Sequence, residues 1–381
     1  MKKNIPAISI VTPMYNAEDF IVDCLDSVLA QTFTDYEFII VDDCSTDNSY
    51  TIVENYIPKF AGKLKLIHSE KNSTNPSTPR NIGIRLSQGE YICFLDSDDA
   101  LTPTALEEIY NLTVKFKVDV IHCERYYLTP KEKFTTDKNL LEINAWQHMP
   151  CVEVPTFFTN DIAERLELFL KGEVAPYTWS HIVKRELLMR CNIFFPPMRI
   201  AGDNPYTLHL VCEAKTFLRV PNVIYVYRER VNSQSRCVLP MDKWVHHRVY
   251  SVFYGLSYLI KIMNDLEFFN THPEYKFKAM DVFVSRQIYE IGAYYQAYPV
   301  DKMDPLIQRE LEQIEDKNAL TSFLFSRMSL LSALVEKFDA TTKKMTKRIS
   351  AQDSALEKHL EVIQTQAVRI KQLESQLAEL K

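Results

Sequence analysis

Five short apolar runs alternate with helix-patterned stretches through the first 125 residues, and this alternation restricts the fold more than any other property of the chain. The runs cover residues 8–11, 38–41, 64–67, 91–95 and 118–123. Between them, residues 17–30, 46–57, 79–88 and 103–116 carry apolar side chains at helical spacing. Strands separated by helices of this length form βαβ units, which predicts an α/β fold with a mainly parallel sheet. The runs are continuously apolar, as in strands covered on both faces.

The rest of the chain is organised differently. At 381 residues it exceeds what one core supports, so two or three units are expected. Residues 126–176 are less periodic, with Pro130, Pro150 and Pro155, and read as connections. A second ordered block, 177–236, holds a buried-looking Trp179 and the apolar run 223–227. Residues 240–335 place Trp244, Val245, Tyr250, Phe253, Leu256 and Ile260 at helical spacing. In the tail, Ile349, Leu356, Ile363, Ile370 and Leu377 recur every seven residues, with Leu360 and Ala367 or Leu373 and Leu380 as a companion seam. That pattern predicts a coiled coil joining copies of the chain into a homo-oligomer; an amphipathic helix on its own domain is the plainer alternative. The expected divisions are 1–125, 126–239, 240–335 and 336–381.

Composition excludes several functions. The net charge of −6 argues against a general nucleic-acid binder. Eight scattered cysteines without a C-x-x-C pair argue against a zinc site or disulfide framework and suit a reducing cytoplasm. The apolar run 8–11 is too short for a signal peptide's core, and no stretch reaches the ~20 apolar residues of a membrane span. Helix 242–263 combines an apolar face with Lys243, His246, His247, Arg248 and Lys261, suiting either core packing or peripheral contact with lipid headgroups.

Four segments carry chemistry. Asp96-Ser97-Asp98-Asp99 ends the fourth apolar run. Carboxylates this close repel unless a cation lies among them, and hard ions such as Mg²⁺ or Mn²⁺ favour oxygen ligands. Ligands of open α/β sheets bind beyond the carboxyl ends of strands, so the cluster reads as a metal–diphosphate site. The plainer reading is an N-cap, with Asp99 or Thr102 starting a helix at Pro103. The turn at 11–18 can lay Tyr15 against a nucleotide base or be an ordinary strand-to-helix turn. After the second run, Asp43 is assigned to nucleotide binding and Asp42 either to that role or to the scaffold. Arg80 can reach a diphosphate or base, or form a surface ion pair.

Taken in order, S-I-V-T-P-M-Y-N-A-E, I-I-V-D-D-C-S-T-D-N-S and P-R-N-I-G-I-R-L-S-Q-G-E-Y-I-C-F-L-D-S-D-D resemble the family-2 inverting glycosyltransferases over residues 7–127. The resemblance implies a Rossmann-like, GT-A type nucleotide-diphospho-sugar transferase fold, followed here by the helical region and coiled coil. It implies that Asp98 coordinates a divalent Mn²⁺ or Mg²⁺ ion, that Asp96 contacts the ribose or the metal, and that Asp99's role is open. By the same resemblance Thr12, Pro13, Tyr15, Glu18 and Asp43 line the nucleoside pocket of a nucleotide-diphosphate sugar, a UDP-sugar foremost, with Arg80 and Ser97 beside them. The sequence departs at Cys44, where the family most often has Gly, so that turn is expected to be reshaped.

Inverting transfer needs a base for the acceptor hydroxyl. Trp179, Lys184 and the segment Ile200-Ala201-Gly202-Asp203-Asn204-Pro205-Tyr206 resemble the family's acceptor-side pattern, with Gly202 in place of its usual Glu. Asp203 is thereby implied as the general base, against an N-cap for the helix entered at Pro205. The stretch from Tyr225 to Ser235 resembles a family segment whose arginines, here Arg228 and Arg230, close over the diphosphate; each equally suits pairing with Glu229 or Asp203. His181 and His209 lack metal-ligand partners and read as core or surface residues. No Gln-x-x-Arg-Trp segment is present, which implies non-processive transfer to a glycan or lipid-linked acceptor, in the cytoplasm at the membrane's inner face. A nucleotide-sugar-binding scaffold is the alternative that the missing Glu favours; a nucleotidyltransferase would need a Gly-rich, basic loop after the first strand.

Overall fold

The computed structural model describes residues 5–129, 134–136, 138–145, 151–229, 239–295, 300–315 and 317–379. It forms two compact units, residues 1–323 and 324–381.

In the first unit β1 (Ile8–Met14), β2 (Tyr36–Asp42), β3 (Leu64–His68) and β4 (Tyr91–Phe94) pair in parallel in the order β3-β2-β1-β4, linked by α1 (Ile21–Leu29), α2 (Ser49–Tyr56) and α3 (Ser77–Leu86). Every residue of β1, β2 and β4 is buried, as their continuous apolar runs require. Side-chain alternation divides the strands between two cores: Ile8, Ile10, Tyr91 and Cys93 enter one, Val11, Ile92 and Phe94 the other. Close packing of α3 on β1 depends on Gly83, where a Cβ would meet Val11 Cγ1 at 2.3 Å.

Beyond β4 the chain continues through β5 (Ala100–Leu101), α4 (Ala105–Phe116), β6 (Val120–Cys123), β7 (Arg125–Leu128), β8 (Glu142–Ala145), β9 (Thr156–Phe157), α5 (Ile162–Leu170), β10 (His181–Lys184), α6 (Arg185–Arg190), α7 (Asp203–Glu213), β11 (Phe217–Val220) and β12 (Tyr225–Tyr227). Here the sheet departs from the mainly parallel expectation. β10 runs antiparallel between β4 and β6, giving the mixed order β3-β2-β1-β4-β10-β6-β11-β9. Residues 181–184 thus complete a sheet begun in the first 125, a pairing of high sequence separation that local patterning does not encode. A second sheet, β5-β12-β7-β8, pairs Leu101 with Tyr225 and so brings β12 against the segment that follows the acidic cluster.

Helices α8 (Met241–Asp265), α9 (Glu267–Thr271), α10 (Glu274–Tyr295) and α11 (Val300–Glu312) complete this unit. The face of α8 carrying Trp244, Val245, Val252, Leu256, Leu259 and Met263 is buried in the core that also holds Val11 and Phe94. The core-packing reading of this helix therefore holds, and its apolar face is not available to lipid. Among the described residues no helix is long and apolar enough to cross a membrane.

The second unit is the continuation of α12 (Lys317–Glu379), a 63-residue helix. Leu324, Met328, Leu331, Val335, Phe338, Met345, Ile349 and Ile363 are all exposed on it. Their spacing of threes and fours extends the heptad pattern upstream of residue 336. The side chains of Leu356, Ile370 and Leu377 lie outside the described residues.

Candidate active site

A cavity of about 1360 Å³ opens where β1, β2 and β4 end and α7 begins, with α8 and α10 on its far wall. Single-ligand pockets occupy roughly 300–1,000 Å³, so this one has room for two substrates. Pro13, Tyr15, Asp43, Arg80, Asp96, Ser97, Asp98 and Asp203 all line it. Three expected residues lie elsewhere. Thr12 is fully buried within β1. Glu18 is exposed and accepts from the backbone and side-chain nitrogens of Asn48 at 3.0 and 2.8 Å, joining the turns after β1 and β2. Arg228 lies behind the acidic cluster, and Arg230 is outside the described residues.

Around this cavity the backbone is held in uncommon conformations. Asn16, Cys44, Thr74 and Ala201 have φ of 47°, 60°, 61° and 61°, each disfavoured for a residue with a side chain by about 1–2 kcal/mol. Cys44 therefore adopts the left-handed conformation that a glycine would favour, and its thiol donates to the Ser69 carbonyl at 3.0 Å; the turn is kept, not reshaped. Asp42 is scaffold: fully buried, it lies 2.8 Å from His68 Nδ1 and accepts from the Ser45 N–H. Asp43 accepts from the backbone N–H of Ser73 at 2.9 Å and its hydroxyl at 2.8 Å, so it orders the loop 72–76 beside the cavity.

The repulsion within the acidic cluster is relieved by the protein's own cations and donors. Arg80 Nη2 donates to Asp96 Oδ1 at 2.7 Å. Arg228 donates from Nε to the Asp98 carbonyl at 2.8 Å, from its backbone N–H to Asp99 at 2.7 Å, and from Nη2 to Asp23 at 2.5 Å, with Phe134 stacked on its guanidinium at 3.5 Å. Asp99 also accepts from the Tyr225 hydroxyl at 2.7 Å. Burial and then the charges of Asp98 and Asp96 push its pKa well above the usual carboxylate range. Asp99 is thus the internal brace, while the half-buried Asp96 and Asp98 face the cavity. The cap reading fails, because α4 starts at Ala105 with Thr104 as its N-cap.

Arg80 also reaches Asp203 Oδ1 with Nη1 at 3.5 Å, so one guanidinium joins the strand-end carboxylates to the start of α7. Its position follows from Gly83, three residues on along the same face of α3. Asp203 is the first residue of α7, whose N-cap is Gly202, and its carboxyl accepts from the side chain and backbone of Thr178. Gly202 is enforced by packing, since a Cβ there would come within 2.9 Å of Ser77 Oγ. A larger residue there requires the Ser77 hydroxyl to turn aside. Burial raises the Asp203 pKa, and the Arg80 charge opposes that rise. A carboxyl so poised, with 36% of its side chain exposed, suits proton abstraction.

Sequence reasoning missed two walls. Tyr177, Trp179 and Tyr225 stack nearly face to face, with ring centroids 4.9 and 4.4 Å apart, and Tyr126 meets Trp179 edge-on at 5.1 Å. The i, i+2 spacing of Tyr177 and Trp179, and of Tyr225 and Tyr227, was the available signal. Opposite, Lys171, Arg199, Arg248 and Arg286 line the cavity from segments with no motif in common. His181 and His209 are buried, as read, and burial lowers each to about 4.

For a divalent ion, the available donors are the hard oxygens of Asp96 and Asp98, Asp99 being committed to Tyr225 and Arg228. Among the described residues no group of three or more His, Cys, Asp or Glu forms a metal cage. Two carboxylates fit an ion of the Mg²⁺ or Mn²⁺ kind that completes its shell with phosphate oxygens and water.

Residues 9–173, which carry the strand ends and paired carboxylates of this cavity, match the family described as Glycosyl transferase family 2. The chain is 32% identical over 230 residues to the uncharacterized glycosyltransferase EpsJ of Bacillus subtilis strain 168, across 60% of this chain and 63% of that protein. It is 27% identical over 321 residues to the poly(ribitol-phosphate) beta-N-acetylglucosaminyltransferase TarS of Staphylococcus aureus strain Mu50, across 80% of this chain and 52% of that one. The matches therefore span less than two thirds of these relatives' length. The crystal structure of S. aureus TarS 1–349 in complex with UDP-GlcNAc superposes with a TM-score of 0.59 at 21% identity, covering 84% of this chain and 81% of that one. The shared architecture is the GT-A type α/β fold with its helical region following.

Proposed function

We propose that this protein transfers a sugar, with inversion, from a UDP-sugar to a hydroxyl of a glycan or lipid-linked acceptor. The observation that carries the reading is the placement of Asp203 and the Asp96–Asp98 pair on one cavity, joined through Arg80. The acceptor hydroxyl's proton passes to Asp203 as its oxygen bonds to the anomeric carbon and the bond to the diphosphate oxygen breaks with its electron pair. Asp96 and Asp98 hold the divalent ion, which when bound offsets charge on the departing diphosphate. Tyr15, which is 46% exposed, offers a face for the base. The family-2 match and the TarS name support a sugar-transfer activity. All seven cysteines among the described residues are free thiols, which suits a cytoplasmic site of action.

Screening UDP-sugars by thermal shift with Mn²⁺, followed by assay of metal-dependent nucleotide release, tests this reading. A raised Tm with one donor, and release that Asp203→Asn removes, is expected; no release from any donor would sink it. The exposed apolar stripe of α12 supports self-association through a coiled coil. Deleting residues 324–381 should reduce the number of copies per particle, read as measured mass over chain mass, and spare donor binding, whereas an unchanged copy number rejects that assembly.

A further inference from the structure

The cavity is divided by charge. Its carboxylates, Asp43, Asp96, Asp98, Asp99 and Asp203, come from the strand ends and the start of α7. The remaining wall supplies Lys171 from the loop after α5, Arg199 from the loop before α7, Arg248 from α8 and Arg286 from α10, with no carboxylate among the described lining residues there. This concentration of cations belongs to a chain whose net charge is −6.

Arg286 is the most informative of them. It donates from Nη1 to Asn204 Oδ1 at 2.7 Å, beside the base, and from Nη2 to the Phe169 carbonyl at 3.3 Å. Both partners are neutral, and burial alone depresses its guanidinium below the ordinary value. A guanidinium withdrawn from water against neutral partners gains free energy when an anion reaches it. Arg248 is only 9% exposed, with its guanidinium 5.8 Å from the Trp244 ring. Gln287 lines the same wall, buried, with its Oε1 lacking a hydrogen-bond partner among the described residues. That atom suits a hydroxyl donor.

We propose that this wall is an acceptor subsite for a phosphate ester. The acceptor presents its hydroxyl to Asp203 while a phosphate of the same molecule lies against Arg286, Arg248 and Arg199, with Lys171 at the exposed rim. Planar guanidinium groups match phosphate oxygens in pairs, which fixes orientation as well as adding affinity. The inference rests on the transfer reaction proposed above. The phosphate can belong to a polymer of phosphodiester-linked polyols or to a prenyl-diphosphate-linked glycan, which share this chemistry.

The test measures binding to the full chain by fluorescence anisotropy. The probes are a labelled glycerol-phosphate hexamer, a labelled prenyl-diphosphate-linked N-acetylglucosamine in micelles, and labelled neutral cellohexaose. A phosphate probe should bind about tenfold more tightly than cellohexaose and weaken as salt rises. It should lose about tenfold in Arg286→Gln and about threefold in the rim double variant Lys171→Gln/Arg199→Gln, while UDP-sugar affinity by calorimetry stays within about twofold. Whichever phosphate probe responds identifies the source. Equal binding of charged and neutral probes overturns the proposal, and so does a loss confined to UDP-sugar, which would assign the wall to the donor. The rim variant decides the matter if Arg286→Gln does not fold. Phosphate-probe binding in a chain that binds no UDP-sugar would sink the donor reading and leave this subsite standing.

Discussion

Asp96 and Asp203 share a single arginine, yet their remaining support comes from different parts of the chain. Asp96 takes Arg80 at 2.7 Å, and its backbone N–H is fixed on the Tyr225 hydroxyl at 3.2 Å, itself bonded to the Asp99 brace. Asp203 has Arg80 at 3.5 Å, and its carboxyl accepts from the side chain and backbone of Thr178, in the turn before β10. Asp96 is thus tied to β12 through Tyr225, and Asp203 to the turn before β10 through Thr178. In the proposed reaction the first would hold a cation and the second would take up a proton. Separate anchors set the two carboxylates on one cavity.

The comparison breaks most directly at its two ends. Asp203→Asn removes the proton acceptor with little change of shape, so kcat should fall about 10³-fold with UDP-sugar affinity preserved. Asp98→Ala should instead weaken metal-dependent donor binding by about 100-fold, read by calorimetry with and without Mn²⁺. Equal loss of donor binding in both variants would show that the division of labour is false.

Arg80→Met sharpens the comparison, because the same cation opposes the burial that raises Asp203. Without it, the Asp203 pKa rises further and the ionised base is lost at higher pH. The acid limb of the pH–kcat profile should therefore move upward. An unmoved limb would mean that Arg80 serves Asp96 alone.

Much of this was legible in local pattern. Continuous apolar runs placed β1 to β4, and the acidic residues at the end of β4 marked the site, because each signal lies within a few residues. The roles of Arg228 and β10 were not legible. Arg228 contacts Asp23, more than two hundred residues away in sequence, and the four-residue run His-Ile-Val-Lys enters the sheet between two strands, β4 and β6, that local pattern had already placed. The basic wall was hidden for the same reason: its four cations come from four separate segments, each unremarkable alone. Cys44 was misread as reshaping its turn because the cost of a positive φ is small beside the network of Asp42, Ser45 and Ser69 that fixes it.

Gly83 tests whether restraint on the donor side depends on backbone approach. A methyl at this position collides with Val11 Cγ1 at 2.3 Å, in a strand whose neighbours are fully buried. Gly83→Ala should cost about 1–3 kcal/mol in chemical denaturation and, by tilting α3, loosen Arg80 from Asp96. Donor affinity should fall more than the denaturation midpoint alone explains. Loss of stability with donor affinity intact would place the control of Arg80 elsewhere.

The smallest effect concerns a stacked pair of buried histidines, of which only His181 is hydrogen-bonded among the described residues, through Nδ1 to the Tyr177 carbonyl at 2.9 Å. His122 and His181 face each other across β6 and β10, fully buried, with rings stacked at 4.7 Å and 10°. Both ring nitrogens of His122, and Nε2 of His181, lack hydrogen-bond partners among the described residues. Burial lowers His181 to about 4, and burial together with His181 drives His122 well below its ordinary value. Between the unfolded histidine pKa of about 6.5 and the folded values, the unfolded chain binds protons that the folded chain does not. Stability from this pair is therefore complete above that window and lost as pH falls through it, by up to about 1.4 kcal/mol per pH unit for each histidine. Asp99 and Asp203, both raised, act with the opposite sign, so the informative quantity is the difference between variants. His122→Phe removes one proton-accepting ring without breaking a hydrogen bond, and should flatten the loss of stability between pH 6.5 and 4.5 while leaving kcat unchanged at pH 7.5. An unaltered slope would mean that the pair is reached by water, and that restraint by packing ends at the sheet's interior.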